Sequence, residues 1–303
     1  MELLNSLMEP LQFPFIVRGL IAAMLVGVVC SVVGTFVVLR GMSFLGFALS
    51  HAILPGVAIG FLQSDGDSDV IFWWGLGAAI LTSLGIGMVS RRTNLSEDTA
   101  IGIVFAGMFA LGIAIISTIR TFASDLVHVL FGNVLGVSNG DLWRIALFGV
   151  LVLLIVFALY KELVVLAFDE VHATTLRLPV TFLSYLLLVL VAVVIMVAMQ
   201  TVGVALMLAM LTTPPATALL LTRRLPVVMA LAAGIGAFSG FAGLYLSYYI
   251  SVASGAAIVL MCTALFGLTF LIAPRRGWLW QFWTRSDAAR LAVQNQGAAK
   301  EGK

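Results

Sequence analysis

The sequence predicts an all-α polytopic membrane protein, a bundle of about eight to nine transmembrane helices, on three observations. The chain is 62% hydrophobic and only 10% charged, where a soluble domain carries roughly a quarter charged residues. Its mean hydropathy is +1.15. Its apolar residues come in runs of about 20, the length that crosses roughly 30 Å of hydrocarbon.

Each run has its own signals. The first, residues 15–39, is too long for a signal-peptide core and lacks a small-residue cleavage site, so it reads as a retained span. Its Gly27 and Ser31 form a small-xxx-small pair suited to close helix packing. A second span covers 44–62, and an aspartate-rich aqueous turn follows at 63–69. The third, 70–90, opens near Trp73 and Trp74, interfacial anchors, and ends at Arg91-Arg92. Ser96-Glu97-Asp98 begins the fourth, 99–119, with acids at the positive end of the helix dipole. A less regular stretch, 120–139, holds Asp125, His128 and Asn133, and the fifth span is 142–160. Residues 161–178 are the most polar interior piece and suit a short surface helix between spans.

Two spans, 180–198 and 202–221, follow. The second contains Thr212-Thr213-Pro214-Pro215, which predicts a local break, because two prolines remove two backbone donors. The last spans are 225–248 and 255–273. The membrane domain is therefore 1–276, and 277–303 is a polar tail expected to fray. With nine spans and the N-terminus outside, the positive-inside rule puts Arg40, Arg91-Arg92, Lys161, Arg177, Arg223-Arg224 and Arg275-Arg276 in the cytoplasm. The acidic turn falls outside, and Arg18 and Arg120 are the exceptions. A net charge of +2 gives no reason to expect a nucleic-acid partner. Cys30 and Cys262 lie far apart in apolar runs without a CxxC neighbour and read as packing residues.

The stretch 40–60, RGMSFLGFALSHAILPGVAIG, carries the main functional signal. His51 stands among apolar residues, with no acid or base from Gly41 through Ser64. An imidazole there costs free energy unless it has a partner. Phe47, His51 and Pro55 share one helical face, Ser43 continues it, and Ser50 flanks it. Pro55-Gly56 is expected to bend the helix just beyond the histidine. A lone ionisable group beside a helix break points first to a substrate path. Its plainer alternative is a hydrogen bond that joins helices.

Several chemistries find no motif. There is no Gly-x-x-x-x-Gly-Lys-Ser/Thr for ATP, no HExxH, no GxSxG elbow and no zinc-spaced Cys/His cluster. The spans also lack the repeated arginines of a voltage sensor. Enzyme activity in this chain alone is not expected, and no catalytic or cofactor-binding residue is assigned. Residues 161–178 read either as a docking element for a soluble partner or as an ordinary connection, and the TTPP segment either lines a conduit or only kinks its helix.

Five ordered blocks then resemble the permeases of the ABC-3 family, the membrane subunits of bacterial manganese, zinc and iron importers. They are VVLRGMSFLGFALSHAILPGVAIG, LSEDTAIGIVFAGMFALGI, DLVHVLFGNVLGVS, QTVGVALMLAMLTTPPATALLLTRRL and GLYLSYYISVASGAAIVL. RGMSFLG and LYLSYYISVASGAAIV are more similar to the manganese and iron branch. The resemblance implies a type II importer-like fold in the bacterial cytoplasmic membrane and a permease homodimer in lipid. It also implies an ABC ATPase on the cytoplasmic side that binds the ATP, and an extracytoplasmic metal-binding lipoprotein. The cargo would be a divalent metal, Mn2+ first. The segment FDEVHATTLRL, with Phe168, Asp169, Glu170, His172 and Arg177, is similar to the element that couples to the ATPase. Family members usually have a glycine near its end, where this chain has Leu176-Arg177-Leu178.

One departure bears on the metal. The family pattern Gly-Asp-Ala-x-Ser-His supplies an acid and a histidine one turn apart as transmembrane ligands. His51 matches the histidine, and Phe47 stands at the acid position, as a gate or an altered ligand position. Two protomers then supply two imidazoles, which hold Mn2+ weakly because that ion prefers oxygen. Water or the Ser50 hydroxyl would have to contribute, or the ion would be held only in passing. Asp125 and His128 form a second candidate pair, three residues apart, that either meets the ion or caps a short helix, the latter reading standing first. A zinc or iron permease, or a channel-like or sensory protein that no longer pumps, are the alternatives.

Overall fold

A computed structural model describes residues 9–64, 67–93, 95–118 and 134–273. Among these residues nine helical segments are long and apolar enough to cross a membrane. The helices are α1 (Pro14–Leu39), α2 (Leu45–Ala52), α3 (Leu54–Ser64), α4 (Ser68–Arg92), α5 (Glu97–Ile116) and α6 (Asn139–Ala158). They continue with α7 (Tyr160–Phe168), α8 (Glu170–Thr175), α9 (Val180–Val202), α10 (Val204–Leu221), α11 (Leu225–Ile250) and α12 (Ser254–Ile272). The second span is the pair α2–α3, and α7 and α8 are too short to cross. The 277–303 tail lies outside the described residues.

Hydrogen-bond contacts sort the helix ends into two faces. At one, Arg40, Arg91, Glu97, Glu170 and Ser184 meet. At the other, Arg144 pairs with Asp69 and the Gln200 amide donates to the Ser68 carbonyl. This division agrees with the expected sidedness of the basic clusters and the acidic turn. Polar caps mark several of these ends. Ser96 accepts from the Thr99 amide, and Ser138 and Asp141 form a reciprocal capping box that moves the start of the fifth span to Asn139.

The core runs along α1 and α9, whose apolar windows are 72% and 78% buried, whereas α5 and α12 are only 17% buried and stand on the outside. Helices apolar on every side belong in the middle of a bundle, and α9 is of that kind. Its end is set by Gly203, whose φ of 86° and ψ of 167° are open only to glycine, and a single residue thus joins α9 to α10.

Pro214 and Pro215 do not break α10, contrary to the expectation from TTPP. The helix runs unbroken from Val204 to Leu221. The two prolines cannot donate to the carbonyls of Met210 and Leu211, one turn earlier. The Ser31 hydroxyl, from α1, donates to the Met210 carbonyl at 3.3 Å. Gly34 brings the α1 backbone directly against the Leu211 carbonyl, where any Cβ would collide. The freed carbonyls are therefore covered by a neighbouring helix, and the helix keeps its course. The Gly27–Ser31 face also packs as expected: a Cβ on Gly27 would lie 2.7 Å from the Gly236 carbonyl of α11.

Gly34→Val is expected to destabilise the detergent-solubilised protein by about 1–3 kcal/mol or more, as overpacking does. Ser31→Ala should cost only about 0.6 kcal/mol, the average for one hydrogen bond between membrane helices. Thermal unfolding of the two variants checks this, and equal losses would remove the backbone approach from the account.

Candidate functional site

His51 lies on α2, and the following residue but one, Ile53, is where the helix of the second span is interrupted. α2 closes at Ala52 and α3 opens at Leu54, just before Pro55. The missing amide of Pro55 takes away the bond to the His51 carbonyl and so loosens the helix at this point. At 1.5 Å per residue His51 is about 10 Å along the span from the basic end.

The imidazole is half-buried, and its surroundings are aromatic. Its ring centroid is 4.5 Å from that of Phe47, 6.4 Å from Phe105 and 6.0 Å from Phe109. Phe44 closes the group, 5.5 Å from Phe47 and 6.2 Å from Phe105. Phe105 and Phe109 come from α5, one turn apart, and stack at 5.6 Å. Phe47 is 39% exposed, so this cluster opens to the outside of the single chain.

The polar contacts of the ring gather at Nδ1. His51 Nδ1 is 3.0 Å from the Phe47 carbonyl and 3.1 Å from the Ser50 hydroxyl oxygen. Ser50 donates its own proton to the same carbonyl at 2.8 Å. A carbonyl only accepts, so the contact with Phe47 is a hydrogen bond in the tautomer that carries the proton on Nδ1, which leaves the Nε2 lone pair open. An imidazole in that tautomer is a ready metal ligand. Among the described residues no group of three His, Cys, Asp or Glu side chains could hold a metal, so His51 has no closed ligand set among them.

The polar segment after the fifth span forms α7 and α8. It is less superficial than expected, because Leu163 and Leu166 of α7 are buried in the core. Asp169 caps α8 by accepting from the His172 amide at 2.9 Å. Phe168, Val171 and Leu176 are 64%, 78% and 53% exposed, an apolar set at the protein's surface. The end of α8 is a Schellman turn, with the Leu178 amide on the Ala173 carbonyl and the Arg177 amide on the Thr174 carbonyl. Arg177 takes the left-handed position with φ 56°. This is where a glycine fits without cost.

Glu170 ties the segment to the bundle. One carboxylate oxygen lies 2.8 Å from Arg91, and the other 3.8 Å from Arg40. Arg91 also donates to Ser184 at 2.6 Å, and Arg40 donates to Glu97 at 2.6 Å. These groups border a cavity of about 510 Å3.

The structure therefore brings Phe47 together with His51, and Asp169 and Glu170 together with the basic helix ends. It keeps the two groups apart in the contacts they make, and it leaves His172 and Arg177 exposed. Asp125 and His128 lie outside the described residues. Two features escaped the sequence reading. Phe105 and Phe109 had a signal in their spacing of four, but their partner across the helix pair had none. Glu97 was legible as a helix start and not as the partner of Arg40.

Nine membrane-length spans among the described residues, an imidazole beside a helix interruption and a short helical element at the basic end are features that a multi-span membrane permease would have. The chain belongs to the ABC 3 transport family, whose model matches residues 12–273. It is 44% identical over 283 residues to the manganese transport system membrane protein MntC of Halalkalibacterium halodurans, covering 93% of this chain and 96% of that one. It is 46% identical to the protein of the same name from Listeria monocytogenes (89% and 94% covered), and 38% identical to a probable iron transport system membrane protein of Haemophilus influenzae (86% and 94%). Among solved structures it is similar to PsaBC from Streptococcus pneumoniae in complex with Fab, with a TM-score of 0.78 and 38% identity over 91% of this chain and 98% of that one.

Arg177→Gly is expected to stabilise the turn after α8 by roughly 1 kcal/mol, the cost of a left-handed non-glycine residue. Slower hydrogen exchange at the Arg177 and Leu178 amides would show it. Unchanged or faster exchange would mean that the arginine side chain contributes more than its backbone costs.

Proposed function

We propose that this chain is the membrane permease of an ATP-driven importer for a divalent transition metal, Mn2+ first, in the bacterial cytoplasmic membrane. Two copies form the path, a cytoplasmic ABC ATPase hydrolyses the ATP, and an extracytoplasmic metal-binding lipoprotein delivers the ion. The chain itself makes no covalent chemistry. The manganese names of the relatives at 44% and 46% identity support the choice of metal.

The observation that carries the reading is the imidazole of His51, with Nδ1 engaged and Nε2 open, at a helix interruption inside an apolar span. A ligand that lacks a full set of partners among the described residues holds an ion only in passing, and a carrier must also let go. Phe47, Phe105 and Phe109 border the imidazole with apolar rings, so an ion there has left most of its water behind. Phe47 takes the place of a carboxylate ligand and acts as a movable aromatic wall. Asp125 and His128 remain the candidates for a meeting point on the outer face.

Docking of the ATPase falls to the segment from Phe168 to Arg177, with Phe168, Val171 and Leu176 as its exposed apolar contacts and Asp169, Glu170, His172 and Arg177 as its polar ones. The basic groups of this face support a cytoplasmic position for it.

Proteoliposomes holding the permease, its ATPase and its binding protein test the reading with a panel of divalent metals. ATP-dependent Mn2+ uptake is expected, and His51→Ala should abolish it while the complex still assembles. Phe47→Asp should raise Mn2+ affinity by roughly tenfold or more, the scale of a change in a metal's ligand shell, and slow its release. Uptake untouched by His51→Ala would make the histidine a packing residue. Uptake of Fe2+ or Zn2+ without Mn2+ would correct the metal, and no uptake of any ion would favour a protein that does not pump.

A further inference from the structure

We propose that Arg40 is a relay that carries movement of the ATPase-facing segment to both walls of the His51 cluster, by sharing its guanidinium between Glu97 and Glu170. The proposal rests on the importer reading given above. It concerns how the site is moved, not what it binds.

Arg40 occupies a joint. It is the C-cap of α1, and the turn behind it is a Schellman motif with Gly41 at φ 74° and the Met42 amide on the Val37 carbonyl. Four residues, Gly41 to Phe44, then lead into α2, which bears Phe47 and His51. The Arg40 side chain is only 7% exposed, so its charge depends on protein partners.

Those partners belong to different moving parts. Glu97, at 2.6 Å, is the first residue of α5, the helix whose Phe105 and Phe109 face the imidazole. Glu170, at 3.8 Å, belongs to α8. It is ion-paired to Arg91 at the end of α4, and is already within about 1 Å of a full hydrogen bond to Arg40. The cavity of about 510 Å3 beside these groups leaves room for the carboxylate to shift. When α8 advances, Glu170 draws the guanidinium away from Glu97, and the joint before α2 and the start of α5 are released from one another. When α8 withdraws, Arg40 and Glu97 close again. A cation shared by two carboxylates has two discrete arrangements, which is what a mechanical coupling needs.

The test uses the full complex in proteoliposomes with Mn2+ as the probe, and reads ions moved per ATP hydrolysed. Arg40→Gln should leave ATP hydrolysis running while Mn2+ moved per ATP falls roughly five- to a hundredfold, the range of ordinary coupling between sites. Arg40→Lys, which keeps the charge, should restore most of it. The double variant Arg40→Gln/Glu97→Gln removes both charges of the pair, so that neither is stranded, and should be uncoupled in the same way.

A second readout does not need transport. Cys30 and Cys262 are both 0% exposed, so a thiol introduced by Phe47→Cys is the one open to maleimide among the described residues. Its labelling rate should differ between nucleotide-free and ADP–vanadate-trapped complexes, and that difference should vanish when Arg40→Gln is added. Wild-type ratios and an intact labelling difference in Arg40→Gln would overturn the relay. So would a fully coupled double variant. If the unaltered complex moves no Mn2+ yet its labelling responds to nucleotide through Arg40, the importer reading fails while the relay stands. If no ATPase associates, both fall.

Discussion

Hydrocarbon supplies no hydrogen-bond partner, and the seam between α1 and α10 is where that constraint presses hardest. Two consecutive prolines strip α10 of two internal bonds at mid-span. The Met210 carbonyl is met by Ser31, and the Leu211 carbonyl by the bare backbone at Gly34. α1 therefore has to lie in one register against α10, and its Gly27 face is then directed at Gly236 of α11. The position of the chain's central helix follows from carbonyls that have nowhere else to go.

That seam also fixes the position of the site. α1 closes with Arg40 as its cap, and α2 starts at Leu45 after four intervening residues, so the placement of α1 sets where Phe47 and His51 begin. The loosely buried α5 then closes on them with Phe105 and Phe109 while its first residue holds Arg40. Helices with few buried contacts are the ones most free to move. A deeply packed α1 thus stands beside an α5 that is held by far less buried surface.

The His51 cluster is chemically spare. One imidazole, a serine hydroxyl already spent on a backbone carbonyl, and four phenyl rings cannot hold a hard cation strongly. The charged network at the basic end is the opposite case, with four ionic groups from four helical elements meeting at one border. Most of the polar interactions that join distant parts of this protein lie at its two ends, where water can help to solvate them.

Much of the architecture was legible in the residues. Span length is set by bilayer thickness and sidedness by the cost of moving arginine across it, so the nine apolar runs and their basic borders are local properties. The interruption after His51 was legible because proline removes its own amide wherever it stands. By contrast TTPP misled, since whether a proline breaks a helix depends on what lies across from the freed carbonyl, and Ser31 is 179 residues away. His51 could be singled out from its isolation, but not the two phenylalanines of α5 that face it. Arg177 showed only within Leu176-Arg177-Leu178, the run standing where the resemblance led one to expect a glycine nearby, until its φ of 56° placed it in a left-handed turn. The sequence by itself determined which segments are long and apolar enough to lie in the membrane, because transfer free energy is a property of each segment alone. Only the tertiary structure decided which polar groups satisfy one another, because those partners are chosen across the bundle by packing and not along the chain.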